Sequence, residues 1–575
     1  MTRGEGTLTR QGSAWRGESP AARLGPLRTD RACWLVVAAG MALAAAAILY
    51  LNRGSVFYVD ELFFFTRSPS TDLETVFTPV NGHLIAVQRA YTKVLLDVFG
   101  ASYVPFRVLH VAVVLFAAGV FYAYAKRRIG ALPALAPTLV LLFLGAAWQH
   151  VVIPIGTPVI LSIALGVVAL LALEREDRVG DTLACAAITL SLATFSVALA
   201  FLVGVAVAIL TGPRPRSRAW VFLVPVALYG AWKLWSLGVD AGEQTRLVNV
   251  LLVPSWLIDS LALVAGSVTG LDYDFAGSGR PQPSIGWGRI VAAVAVGALV
   301  WRLTRGSIPR WLWVALAIAL SYWAISALAA GTMGRVPVLV KYVYPGVSVA
   351  LLVAVTAAQG LRFTRVGLAA LFGVAAVSLL TNGALLRDAG TYFRDLYSTG
   401  VKARLATLEI TRDTVAPRFN PFATAENPAL DATGTTAEAY LDAADRYGSL
   451  AMTPAELAGQ GEGVRQAADR VLAAALSLEL SAPAGLPRAE GCRTLRGDSG
   501  RPIVFQLPAG GAVLETGGEA PATVGLRRFA DLPSVDLGST APGEASALSI
   551  PPDAAAEPWF ASVSGAPSLR VCRLR

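Results

Sequence analysis

Three ionisable side chains stand close together in a stretch that is otherwise apolar and aromatic. Residues 57–103, FYVDELFFFTRSPSTDLETVFTPVNGHLIAVQRAYTKVLLDVFGASY, hold the adjacent carboxylates Asp60 and Glu61. Further on, after a turn-forming Asn81-Gly82, comes His83, one of three histidines in the chain. A carboxylate at a water–lipid boundary suits the work of a general base. Partial burial raises its pKa, and it can take the proton of a hydroxyl that attacks an electrophilic carbon. A neighbouring imidazole can orient the acceptor, contact a phosphate or assist proton transfer. Each residue also has a plainer reading. Asp60 could cap a helix starting at Glu61, and His83 could cap the helix that NGHLIAVQRAYTKVLLDVF forms. That helix places Leu84, Val87, Tyr91, Val94 and Leu95 on one face and Gln88, Arg89 and Lys93 on another, as a helix lying on a membrane surface requires.

Cations recur farther along. Arg335 and Lys341 flank a short segment, GTMGRVPVLVKYVYPG. A lipid phosphate needs fixed positive charge at headgroup level, although Lys and Arg at span ends also snorkel without further purpose. His150, on a neighbouring turn, is a third candidate for phosphate contact. Asp60, Glu61 and a third acid such as Asp272 or Asp274 could hold a hard divalent ion, Mg or Mn, a point that spacing leaves open. No Cys/His spacing suggests zinc.

The elements that must position these groups are membrane spans. Of 575 residues 55% are apolar, and several runs approach the ~20 residues that cross a bilayer as helix. The net charge of +9 is spread as short arginine-rich segments between apolar runs, the pattern that writes orientation in a membrane and not the footprint of a nucleic-acid binder. Only five of the 48 basic residues are Lys, which matches a GC-rich coding sequence. We expect a polytopic α-helical membrane protein of about eleven crossings, with the N-terminus inside and the C-terminus outside. A basic cytoplasmic tail covers 1–32 and a membrane domain 33–385, with external loops at 52–103 and 238–285. The stretch 181–210 is long for one helix and short for two. A hairpin turning near Thr194-Phe195-Ser196 keeps the basic GPRPRSR at 212–218 inside. In the second loop, LVNVLLVPSWLIDSLALVAGSVTG is interrupted by Pro254, Ser255 and Asp259 and reads as an interfacial helix.

Residues 386–575 form an outer domain, helical over 435–480 and β-rich over 490–575. Its helices begin at the capping signatures Thr435-x-x-Glu438 and Thr453-Pro454-x-Glu456. The short runs after Cys492, separated by Gly and Pro, have the pattern of a small β-sandwich. Cys492 and Cys572 lie near its ends, and on an oxidising face a disulfide between them would close a loop of about 80 residues. Trp559 is either a core residue or a sugar-stacking one.

The run VDELFFF after the first span, then NGHLIAVQRAYTKVLLDVFG, then VPFRVLHVAVVLFAAGVFYAYAKRR, resembles the start of GT-C superfamily glycosyltransferases, protein O-mannosyltransferases among them. KYVYPG is similar to basic-Tyr segments of related bacterial membrane proteins. The β-rich tail is similar in placement to carbohydrate-binding modules of mycobacterial arabinosyltransferases. The resemblance covers roughly 33–360. It implies Asp60 at the catalytic carboxylate position, Glu61 as its neighbour and His83 as the histidine of the acceptor-side turn. Where the mannosyltransferases carry His-Pro-Pro, this chain has His83-Leu84-Ile85. The expected activity is inverting transfer of a sugar from a polyprenyl phosphate to a glycan, lipid or protein acceptor outside the plasma membrane, with no nucleic acid involved. The alternatives are a polytopic protein that exports or assembles envelope polysaccharide, and a transferase fold kept as a scaffold. Few ionisable residues lie in mid-membrane positions, Lys233 being the clearest, which weighs against proton-coupled transport.

Overall fold

The computed structural model describes residues 20–239, 246–271, 273–274, 282–305, 308–330, 335–423, 428–481, 489–497 and 501–574. The tail expected over 1–32 lies, up to residue 19, outside the described residues, as does Asp272.

Backbone out of water must satisfy every N–H and C=O within its own segment, so the apolar runs become helices. Among the described residues, nine helical segments are long and apolar enough to cross a bilayer: Asp30–Leu51, Val104–Ile129, Ala131–Val151, Pro154–Leu173, Leu247–Thr269, Gly286–Thr304, Arg310–Leu328, Val340–Ala357 and Arg365–Ile410. Three shorter helices, Arg178–Thr194, Ala198–Leu210 and Trp220–Ser236, run among them. The stretch 181–210 is therefore a hairpin of two short helices, turning at 195–197. The chain is a multi-pass membrane protein.

Ion pairs define one end of the bundle. Lys126 meets Asp30 at 2.7 Å, Arg127 and Arg128 meet Glu174 at 2.9 and 2.6 Å, Arg310 meets Glu176 at 2.8 Å and Arg218 meets Asp181 at 2.6 Å. The basic loops that the orientation rule reads as cytoplasmic thus gather on one side. At the opposite end the loop 52–103 meets the C-terminal region. Lys402 Nζ donates to Gly54 O at 2.6 Å, and Ala101 N to Tyr447 O at 2.7 Å.

The helix Val253–Thr269 has both its ends at this loop end. Ahead of it, Asn249 Nδ2 donates to Leu328 O and Ala330 O, both at 2.9 Å, where the Arg310–Leu328 helix finishes. At its close, Asn382 Nδ2 donates to Ser267 O at 3.1 Å while Asn382 Oδ1 accepts from Ala146 N at 2.9 Å. Asn382 stands about 25 Å along its helix from the basic end. The segment is apolar enough to cross, yet both its ends are tied to the half of the bundle nearer the loop 52–103.

The last span is longer than the sequence suggests. Expected over 366–384, it continues unbroken to Ile410, with a π-helical stretch over Tyr392–Ser398. Beyond 398 two of its faces are buried at once. Val401, Leu405 and Leu408 join the large core that runs from the spans to Phe422, Tyr440 and Tyr447, and Ala403, Ala406 and Ile410 the core of the β-rich C-terminal domain. The boundary expected at 385, just ahead of the charged Arg387 and Asp388, falls inside this helix, because charges on its exposed face do not interrupt it.

The C-terminal domain pairs a four-stranded antiparallel sheet, in spatial order Ile503–Gln506, Phe560–Ser564, Ala522–Arg527 and Val535–Thr540, with a five-stranded one. The second sheet runs Leu480–Ser481, Ala545–Ser549, Gly511–Gly517, Ser568–Leu574 and Ala489–Arg496. A disulfide joins Cys492 to Cys572. Trp559 is 3% exposed and belongs to this core, with Arg528 over its ring at 5.4 Å. The capping box at Thr453 and Glu456 is present. The earlier helix is capped one residue later than the signature, by Thr436.

One close approach matters for the site. Gly145, just ahead of His150, lies so near the last span that an added Cβ would sit 1.9 Å from Asn382 O. We expect Gly145→Ala to destabilise the protein by about 2 kcal/mol or more, since rigid backbone is the obstacle. A thermal scan of the purified variant in detergent should show a midpoint several degrees lower.

Candidate active site

Asp60 and Glu61 share a helix, and only Asp60 reaches the cavities described below. The helix Val59–Arg67 begins after Tyr58, whose backbone is extended. Glu61 folds back on this start: Tyr58 N donates to Glu61 Oε2 at 2.8 Å, and Tyr103 Oη donates to the same oxygen at 2.6 Å. That is the role of the third-position acid in a capping box. The helix is thus capped by Tyr58 with Glu61, where the sequence suggested Asp60 as cap. Glu61 is 7% exposed, and burial pushes its carboxyl up to about 8, opposed by the Tyr103 and Tyr58 bonds and helped by the charge of Asp60.

The π-helical stretch anchors the loop from the other side. Tyr397 Oη accepts from Val59 N at 2.8 Å, and Ser398 Oγ accepts from Val56 N at 3.2 Å. Val59 itself has φ of +25°, an unfavourable conformation for a β-branched residue. Strain of this kind persists where surrounding structure enforces it, and here it immediately precedes Asp60.

His83 is set by a tight hairpin. Asn81 and Gly82 both have positive φ, 49° and 76°, and Val80 and His83 exchange backbone hydrogen bonds of 3.2 and 2.9 Å. A two-residue turn of this hand demands such residues. The imidazole lies 4.9 Å from the Phe195 ring, in the turn of the 178–210 hairpin. His150 is held by Gly156, where an added Cβ would come within 2.4 Å of His150 Cα, and by stacking on Tyr344 at 6.1 Å. Its Nδ1 is buried without a partner among the described residues.

These side chains line common space. A cavity of about 390 Å³ is bounded by Asp60, His83, His150, Arg335 and Lys341, together with Tyr58 and Gln149. A second, of about 400 Å³, shares His83, His150, Arg335 and Lys341 and adds Lys233, Tyr322 and the apolar Leu199, Ile325 and Leu328. Five of the six residues expected at the site therefore meet, and Glu61 does not reach either chamber. Asp60 is exposed on the wall of this cavity. Burial raises its pKa, and the charge of Lys341 opposes that rise. Burial first, then the charges of Arg335, Lys341 and Lys233, depress His83 to about 3. It is a neutral imidazole throughout the physiological range, able to donate or accept a hydrogen bond.

The chemistry available is proton removal by one carboxylate beside a cluster of cations, with an apolar chamber adjoining. Among the described residues no group of three or more His, Cys, Asp or Glu gathers, and Glu61 is engaged elsewhere; Asp272 and the side chain of Asp274 lie outside the described residues.

Lys233 was visible in sequence as a charged span end, but not as a wall of this site. The signal lies in its neighbour: Trp232 Nε1 donates to Phe77 O at 2.8 Å and so docks the span Trp220–Ser236 on the Asp60 loop. In the surface helix Ala86–Phe99, Gln88, Thr92 and Leu96 are buried, Val87, Arg89, Tyr91, Lys93 and Leu95 are half-buried, and Val94 and Val98 are exposed, so the burial follows neither of the two expected faces cleanly.

No protein-family model matches the chain, and neither does any curated sequence. Among solved structures, the fold is similar to that of ArnT from Cupriavidus metallidurans, determined bound to undecaprenyl phosphate. Identity is 12%, the match covers 73% of this chain and 89% of that one, and the TM-score is 0.42.

Glu61 supplies a stability test. Its carboxyl stays protonated in the folded chain to about pH 8, whereas an ordinary glutamate ionises from 4.5. The folded state therefore binds the extra proton, and stability falls as pH rises between those values. Glu61→Gln keeps the size and the acceptor oxygen. We expect it to gain on the parent protein in thermal stability from about pH 4.5 to about 8 and to match it below. A difference constant across that range would contradict the assignment.

Proposed function

We propose that this protein is a membrane glycosyltransferase of GT-C type that moves a sugar from a polyprenyl phosphate to a hydroxyl-bearing acceptor on the outer face of the plasma membrane. The observation that carries the reading is the convergence of Asp60, His83, Arg335 and Lys341 on one enclosed cavity at the loop end of the bundle.

The step balances without a cofactor. Asp60 takes the proton of the acceptor hydroxyl, whose oxygen forms a bond to the anomeric carbon. The bond from that carbon to the phosphate oxygen breaks, and the phosphate leaves with the electron pair. Attack from the side opposite the leaving group inverts the centre. Arg335, Lys341 and His150 hold the phosphate, whose charge grows as the bond breaks, and preset positive charge in a low-dielectric site is most effective there. His83, neutral, orients the sugar or the acceptor by hydrogen bond. The apolar chamber beside them receives the first part of the polyprenyl chain. The C-terminal domain sits outside, over the loop that carries Asp60.

In a transfer assay with labelled polyprenyl-phosphate sugar, Asp60→Asn should lower turnover at least ~100-fold, the usual worth of a positioned base, while donor binding persists. Wild-type turnover in that variant would sink the proposal. The pH profile gives a second reading. A base must be ionised, so activity falls as pH drops through the pKa of Asp60, which burial places above the ordinary carboxylate value. Lys341 favours the ionised form, so Lys341→Gln should move this acid limb to higher pH.

A further inference from the structure

A second polar hollow lies on the helix that carries Asp60. Its volume is about 290 Å³, and its walls include Arg67, Arg89, Ser70, Thr71 and Thr75. Phe64 stands in the wall of this hollow and of the Asp60 cavity alike. Asp60, Phe64 and Arg67 follow one another at helical spacing on one face, with Arg67 about 10 Å along the axis from Asp60.

The charge in this hollow is uncompensated. Among the described residues lining it there is no carboxylate. Asp72, the nearest acid in sequence, caps the helix Leu73–Phe77 by accepting from Thr75 N and Thr75 Oγ1 at 2.8 and 2.7 Å. Glu74 lines a neighbouring apolar groove instead. Arg89 Nη1 donates to Thr75 O, and Arg89 Nε is buried with no partner among the described residues. Burial and the like charge of Arg67 push the Arg89 guanidinium down to about 10. Arg67 lies over the Phe63 ring at 4.3 Å, which fixes its plane. Two guanidinium groups among hydroxyls are matched by a carboxylate or phosphate, which accepts paired N–H bonds and relieves their repulsion.

We propose that this hollow binds an anionic group of the acceptor, carboxylate or phosphate, about 10 Å from the hydroxyl that Asp60 deprotonates. Arg67 and Arg89 pair with the anion, the surrounding hydroxyls take its sugar oxygens, and Phe64 is the partition over which the acceptor reaches the catalytic cavity. The assignment rests on the transferase reading for its biological role, though not for the anion site itself.

The test is calorimetric titration of the full-length protein in nanodiscs with glucose 6-phosphate, glucuronate and glucose. Both anions should bind and glucose should not, and comparison of the two anions separates phosphate from carboxylate preference. Arg67→Gln and Arg89→Gln should each weaken anion binding at least tenfold, with an unchanged thermal midpoint showing that they fold. Asp60→Asn and Arg335→Gln should leave it intact. Equal binding of glucose, no anion binding, or loss only in Arg335→Gln, which would place the anion in the donor cavity, each overturns the proposal. Should Asp60→Asn retain full transfer, the transferase reading fails while the anion titration still stands or falls alone.

Discussion

Successive residues on a helix point about 100° apart, so pinning one decides where its neighbour looks. Glu61 is pinned. Its carboxyl is held between Tyr58 N and Tyr103 Oη and largely buried, and Asp60, about 100° round the helix, lines the cavity. The same contact ties three distant parts of the chain. Tyr103 opens the span Val104–Ile129, Tyr58 packs against Trp148 and Tyr397, and Tyr397 in turn binds Val59 N. Burying a carboxyl is unfavourable unless it is hydrogen-bonded. Here the bonds exist, and what they secure is the geometry of the loop.

The two ends of the bundle use charge differently. At the basic end arginines meet carboxylates directly, as in the buried Arg218–Asp181 pair. Such pairs fix helix positions and leave little field to act elsewhere. At the loop end Arg335, Lys341 and Lys233 line one cavity together with His83. The effect on His83 is one measure of their field, since three positive charges add to burial in keeping the ring neutral.

Much of this was legible beforehand, for identifiable reasons. The arginine segments at 126–128, 174–178 and 212–218 marked one side because charge does not cross a bilayer readily. Asn81-Gly82 announced the turn at His83 because few residues tolerate its backbone, and Thr453 with Glu456 formed the capping box it spelled. Which member of the Asp60–Glu61 pair faces the site was not legible. That depends on whether the helix starts after Tyr58, and the decisive partner, Tyr103, is far along the chain. Lys233 became part of the site only through the docking of Trp232 on Phe77, which no local pattern records.

The final helix deserves a mechanical reading. Between Thr399 and Ile410 it presents residues 401, 405 and 408 to one core and 403, 406 and 410 to the other, while Tyr397 and Ser398 hold the Asp60 loop just upstream. The wider π turn at Tyr392–Ser398 sets the angular phase in which these three engagements coincide. Adding or removing a single residue there would rotate everything downstream by about 100° and bring the wrong stripe to each core. The segment behaves as a keyed shaft between two gears: substitutions along it can be absorbed, but changes of length cannot, and any chimera exchanging the C-terminal domain has to conserve the count of residues from Tyr392 onward.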